Sequence, residues 1–146
     1  MSAISKATAR LPLFDRLIDE NPQEREETKI KDRTNLEGLK ESIQKELRMI
    51  FNTRCILAPR KGNYPTPENF GLMEYTHLNP NGSEGMKIIR GFITAIELYE
   101  PRLLNPNARI LRYDSVFQKV YIQIEGMIKL GERLERFSFP LDIASE

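Results

Sequence analysis

The side chains able to do chemistry are few. The chain has one histidine and one cysteine. Any mechanism that needs a histidine rests on His77, which follows Tyr75-Thr76 in a loop and reads as a surface or satisfied polar residue. Cys55 has no base near it in sequence and reads as a small apolar filler. One Cys and one His exclude an internal disulfide and a Cys/His zinc site. Carboxylates remain. Glu97 and Glu100 are i, i+3 at a helix end, and Glu125 and Glu135 lie on neighbouring predicted strands. Glycosidic cleavage needs two carboxyl groups across a sugar, one with a raised pKa. With Asp+Glu at 21, neighbouring acids are expected by chance, so a muramidase-like peptidoglycan hydrolase using paired Glu residues is the lesser reading. Neither a P-loop nor a dinucleotide glycine pattern is present, and turn chemistry explains Gly82, Ser83, Gly85 and Lys87 better than a phosphate cradle does. No catalytic residue, metal ligand or cofactor is assigned.

Two polar segments stand at helix ends. In Glu100-Pro101-Arg102 the proline locks the backbone just past an amphipathic helix. An extended piece there projects Glu100 and Arg102 to the same side as a rigid pair of both signs. Such a pair suits gripping another chain's polar groups or helix termini, because the arginine fork gives bidentate bonds. It equally suits an internal salt bridge that pins the helix end. Asn52-Thr53-Arg54 follows the first long helix. Asn and Thr there read as a helix stop, with Arg54 able to reach a partner.

These segments need elements to hold them. Leu36, Leu39, Ile43, Leu47 and Ile50 form one helical stripe, and Thr34 with Glu37 has capping-box spacing. Residues 58–69 carry Pro59, Pro65 and Pro67 and read as a long loop. Phe70 to Tyr75 reads as a short extended piece or a single turn, and Asn79-Pro80-Asn81-Gly82 as a turn. Ser83 is the expected cap of a second helix, with a stripe of Met86, Ile89, Phe92, Ile93, Ile96 and Tyr99. The rest reads as β: a short strand at 109–113 and an alternating run from Val116 to Leu130. A last strand follows with Phe137, Phe139 and Leu141 on its apolar face. Gly126 marks a bend or bulge, and Pro140 places the last strand at or near an edge. The expected fold is α+β, two main amphipathic helices packed on an antiparallel β-meander of at least three strands.

The 146 residues amount to about one domain. Hydrophobic residues at 40% and charged residues at 29% fit a globular chain. A net charge of +1 argues against a general nucleic-acid binder. No secretory signal and no run of ~20 apolar residues is present, so a reduced cytoplasmic setting without membrane insertion is expected. Residues 1–33 read as a flexible arm, comprising a mobile start, the apolar turn Leu13, Phe14, Leu17, Ile18, and an acidic linker. Residues 34–146 read as the domain proper. A generic small binding domain that docks through this turn is a third reading.

Four short segments together resemble a known family. They are Leu13-Phe14-Asp15-Arg16-Leu17, Asn52-Thr53-Arg54, Asn69-Phe70-Gly71-Leu72 and Tyr99-Glu100-Pro101-Arg102-Leu103, in that order. They resemble the motifs of the lysozyme-like baseplate wedge proteins of contractile tails, nearest in pattern to the wedge subunits of type VI secretion systems. Phe70 stands where that pattern has tyrosine, and Tyr99 where phenylalanine is usual. The resemblance implies a structural role without lysozyme activity, in a baseplate docked at the inner membrane. It implies partner-binding residues Glu100, Pro101, Arg102, Asn52, Thr53 and Arg54, with the first three holding the helical core bundle of neighbouring wedge subunits. It further implies that sheath subunits of the first ring add strands to the sheet. No nucleic-acid partner, small-molecule substrate or cofactor is implied.

Overall fold

A computed structural model describes residues 8–18, 22–23, 33–60, 62, 64–74 and 82–144. The loop expected at His77 and the turn expected at 79–81 lie outside these residues. The first described element is a two-residue strand β1 (Ala9–Arg10), paired antiparallel with β2 (Arg33–Thr34). Among the described residues between them is a short helix, α1 (Leu13–Leu17).

The first stripe folds as its spacing predicts. Helix α2 (Leu36–Phe51) buries Leu39, Ile43, Leu47, Ile50 and Phe51. Its cap is Asn35, one residue later than Thr34: the Asn35 side-chain oxygen accepts the Gly38 amide at 3.0 Å. Thr34 is held instead in the ladder opposite Ala9. The helix closes as the bland reading of Asn52-Thr53 predicts. The Asn52 amide donates to the Arg48 carbonyl at 2.9 Å, and the Thr53 hydroxyl to that of Met49 at 2.7 Å.

The proline-rich loop contains one 3-10 turn, Pro67–Asn69, which begins on a proline where the missing amide costs nothing. Leu72 then makes a single parallel bridge with Arg54 and is buried. Helix α3 (Ser83–Tyr99) starts from Gly82, so Ser83 is its first residue and not its cap. Its buried stripe is turned from the predicted one. Ile88, Phe92, Ala95 and Ile96 are buried, while Met86 is 57% exposed. Isoleucines at 88, 89, 93 and 96 make the apolar face wide, and small Gly85 and Ala95 let the helix settle on its 88–92–95 side.

Three twelve-residue strands complete the chain: β3 (Leu103–Asp114), β4 (Lys119–Leu130) and β5 (Arg133–Ala144), antiparallel in that order. The short strand at 109–113 is therefore the end of a long one, and Val116 belongs to a turn. Asp114 makes that turn, because its carboxylate accepts the Val116 and Phe117 amides at 3.0 and 3.1 Å. β3 starts six residues before the expected strand and runs through Asn105 and Pro106. They sit in a bulge between Leu104 and Asn107, with Asn105 at φ 48°. Gly126 faces this place: a Cβ there would lie 2.6 Å from Leu103 Cδ1. The bulge foreseen at Gly126 thus belongs to the neighbouring strand.

The predicted alternation of β4 holds. Ile122, Ile124, Ile128 and Leu130 join Phe137, Phe139, Leu141 and Ile143 of β5 and the stripes of α2 and α3 in one core. Phe51 packs edge-on against Phe92 at 5.2 Å within it. The fold is α+β, two long helices and a shorter one with a three-stranded antiparallel sheet. Its outer sheet face carries Arg109–Glu125 and Lys119–Asp142 ion pairs at 3.5 Å and Arg112 over the Tyr121 ring, beside exposed Leu104 and Leu134. β5 is an edge strand, in keeping with Pro140.

Candidate partner-binding site

Helix α3 and strand β3 are joined by Glu100, Pro101 and Arg102 alone. They make a turn and not an extended piece, because the Leu103 amide donates to the Glu100 carbonyl at 3.1 Å. The Glu100 amide in turn donates to the Ile96 carbonyl at 2.7 Å. Proline here ends the helix as expected; the hydrogen bond across it bends the chain back on itself.

The turn points the Glu100 side chain inward, where the residue is 1% exposed. Three donors from one residue meet it. Arg102 Nε and its backbone amide reach Oε1 at 2.8 and 3.2 Å, and Nη2 reaches Oε2 at 2.6 Å. This is a bidentate fork between partners two residues apart. The guanidinium goes further, donating through Nη1 to the Ser42 hydroxyl of α2 at 2.9 Å. Ser42 donates to Asp15 of α1 at 3.2 Å, and Lys45 donates to the other Asp15 oxygen at 3.0 Å. A chain of polar contacts thus links the turn, α2 and α1. Glu46 stands beside it. Burial, then the Glu100 carboxylate, push its pKa above the ordinary 4.5; Asp15 adds to the rise, while Arg102 and Lys45 oppose it.

A second seam joins the other two segments. Gly71 has φ +106°, and a Cβ there would lie 2.2 Å from the Thr53 carbonyl oxygen. That contact lets the Leu72 amide reach the Thr53 carbonyl at 2.8 Å and the Cys55 amide reach the Leu72 carbonyl at 3.0 Å. Asn69 is buried, accepts the Thr66 amide at 3.0 Å and donates to the Tyr64 carbonyl at 3.1 Å. The Tyr99 hydroxyl lies within bonding reach of the Asn69 oxygen and, at 3.0 Å, of the Thr66 carbonyl. Phe70 packs edge-on to the Tyr99 ring at 4.8 Å. Burial pushes the Cys55 thiol up and away from reactive thiolate.

The structure therefore brings Glu100 and Arg102 together, and sets Asn52, Thr53 and Arg54 on the other seam. Glu100 is enclosed. What the corner presents outward is exposed Pro101 and the Arg102 side chain, 27% accessible. Asn52, Thr53 and Arg54 are all exposed. Asp15, Ser42 and Glu46 were not foreseen as members. Asp15 lies in the Leu13–Leu17 segment; Ser42 and Glu46 are i, i+4 on α2 beside the apolar stripe, a spacing that common surface residues share.

The paired carboxylates do not face a common space. Residues directly opposite in a ladder share a face. Glu125 stands opposite Ser138 on the outer face, whereas Glu135 stands opposite Ile128, whose side chain is in the core. Glu97 is exposed and Glu100 is enclosed with Arg102. Among the described residues no group of three or more His, Cys, Asp or Glu could hold a metal ion. No helix among them is long and apolar enough to cross a membrane.

A family model described as baseplate wedge protein gp25 matches residues 37–132, about two thirds of the chain. The chain belongs to the baseplate wedge protein gp25 family. The matched span runs from the first turn of α2 to the turn after β4, and so holds the second seam and all of the first except Asp15. This is also the family to which TssE belongs. No curated protein matches the chain. Membership makes it a structural component of a phage-type or type VI baseplate, one that assembles with other baseplate subunits.

Proposed function

We propose that this wedge subunit belongs to a type VI secretion system and joins the wedge core bundle to the first ring of the contractile sheath, helping sheath assembly to begin. It does so without catalysis, in the cytoplasm, at a baseplate docked on the inner membrane. The observation that carries this reading is one rigid corner between two kinds of surface. Arg102 emerges just past the end of α3, and at the next residue the chain enters a sheet whose last strand is an edge.

In this reading Arg102 and Pro101 touch the core bundle, and Glu100 is a positioning residue that fixes the guanidinium. Asn52, Thr53 and Arg54 add an exposed contact at the end of α2. Residues 1–33 act as an arm whose docking turn is α1, where Leu13 and Leu17 are 63% and 71% exposed. The sheet receives strands from sheath subunits.

The test is co-purification with the wedge partners. Arg102→Lys keeps a cation beside Glu100 but loses the planar fork. Its melting behaviour should stay near that of the native chain while recovery of wedge partners falls. Native-level recovery would count against the role given to this corner. Purified protein should release nothing from peptidoglycan; release abolished by a single Glu→Gln change would support the hydrolase instead.

A further inference from the structure

Strand addition needs an open edge, and the sheet has two. β3 is broken at Leu104/Asn107 and again at Ile110/Arg112, with Asn105 at φ 48° and Pro106 inside the first break. Bulges and proline are how natural sheets blunt an edge. β5 differs. Its register with β4 is continuous from Lys119 opposite Ala144 to Leu130 opposite Arg133.

Two features show which way its amides point. Gly131 and Glu132 alone join β4 to β5, with Gly131 at φ 61°. A two-residue hairpin turn of this kind closes on a hydrogen-bonded pair, here Leu130 with Arg133. Pairs alternate along an antiparallel ladder, so odd-numbered residues of β5 bond to β4 and even-numbered ones face outward. Pro140 agrees: an even residue with no amide, it fits where no bond to β4 is needed. The outward groups are then the amides and carbonyls of Leu134, Arg136 and Ser138, with the run of donors ended at Pro140.

Resting on the strand-addition reading above, the geometry points to residues 133–139 of β5 as the acceptor for a sheath strand, with β3 closed to it. The chemistry of that strand follows from its neighbours. On the core side lie Phe137 and Phe139, both buried, with the Arg48 guanidinium 5.4 Å from the Phe139 ring. On the outer side Arg136 is exposed and makes no ion pair among the described residues. The incoming segment is therefore extended and alternating, with an apolar residue beside Phe137 and an acid beside Arg136.

The experiment is hydrogen exchange on the full chain, free and bound to the purified sheath subunit of the same machine. Peptides covering 133–139 should gain at least tenfold protection on binding, and those covering 104–113 should not change. Ser138→Pro removes an outward amide and leaves the β4 ladder intact, so it should fold normally yet bind at least tenfold more weakly. Arg136→Glu should weaken binding as well, and Arg109→Glu, on β3, should not. Protection confined to β3, or native binding by a folded Ser138→Pro, would overturn the choice of edge while leaving strand addition in place. Binding with protection at neither edge would overturn strand addition itself.

Discussion

Around the Glu100–Arg102 corner, the polar groups of the helical side turn toward other parts of the same chain, whereas alternate backbone groups of β5 turn away from it. Arg102 meets Glu100 and Ser42, Ser42 meets Asp15, and Asn69 meets Thr66 and Tyr64. On β5 the partners face outward at Leu134, Arg136 and Ser138. Charged and aromatic residues stand out in a sequence, yet most of them here hold the framework. The surface best prepared for another chain is backbone, which every residue carries.

If that contrast is right, changes in the seams cost stability and changes at the edge cost binding. Gly71→Ala should be the most damaging, because its backbone is left-handed and its Cβ would strike the Thr53 carbonyl. A loss of about 3 kcal/mol in unfolding free energy, read by urea titration, is expected from strain plus a broken seam. A variant that melts normally but fails to bind would make this seam a docking surface instead. Arg102→Ala comes next. Stranding one partner of a fully buried ion pair costs about 3–5 kcal/mol. Here the cation is part exposed, so about 2 kcal/mol is expected. Pairing it with Glu100→Gln should recover part of that loss, because the two residues act as one unit.

Asp15→Ala should cost about 1 kcal/mol, since it removes one part-buried and one exposed polar contact with α2. Its clearer sign should be faster exchange in α1, read by peptides covering 13–17. The smallest effect is at Glu46. A carboxyl whose folded pKa is raised stabilises the fold while protonated and loses that contribution as pH climbs through the raised value. Glu46→Gln should therefore raise the melting temperature slightly at neutral pH. The gain should vanish below its ordinary 4.5, where the native side chain is neutral too.

Much of the frame was legible because burial imposes a period. The stripe of α2 and the alternation of Ile122, Ile124, Ile128 and Leu130 come through intact, and Pro140 marks its strand as an edge. Boundaries were less legible, because local signals compete. Thr34 has the spacing of a cap, but pairing with Ala9 holds it in a strand, and Asn35 caps instead. The expected strand at 109–113 leaves out Asn105 and Pro106, but Gly126 on the neighbouring strand gives a bulge there room and β3 runs through them. The corner was legible as a motif and not as a geometry. Spacing could place Glu100 and Arg102 on one side, but it could not say that the turn would carry Glu100 inward. Nor could it bring in Ser42, sixty residues away.

The link between α3 and β3 also has a mechanical meaning. Three residues join them, and a chain spans at most ~3.3–3.6 Å per residue when drawn straight. The Glu100 backbone binds Ile96 on one side and Leu103 on the other, so the joint holds almost no slack. A displacement applied to the helix end is handed to the first strand as motion of a stiff body. Compliance, where the molecule has it, must lie outside this hinge-free corner.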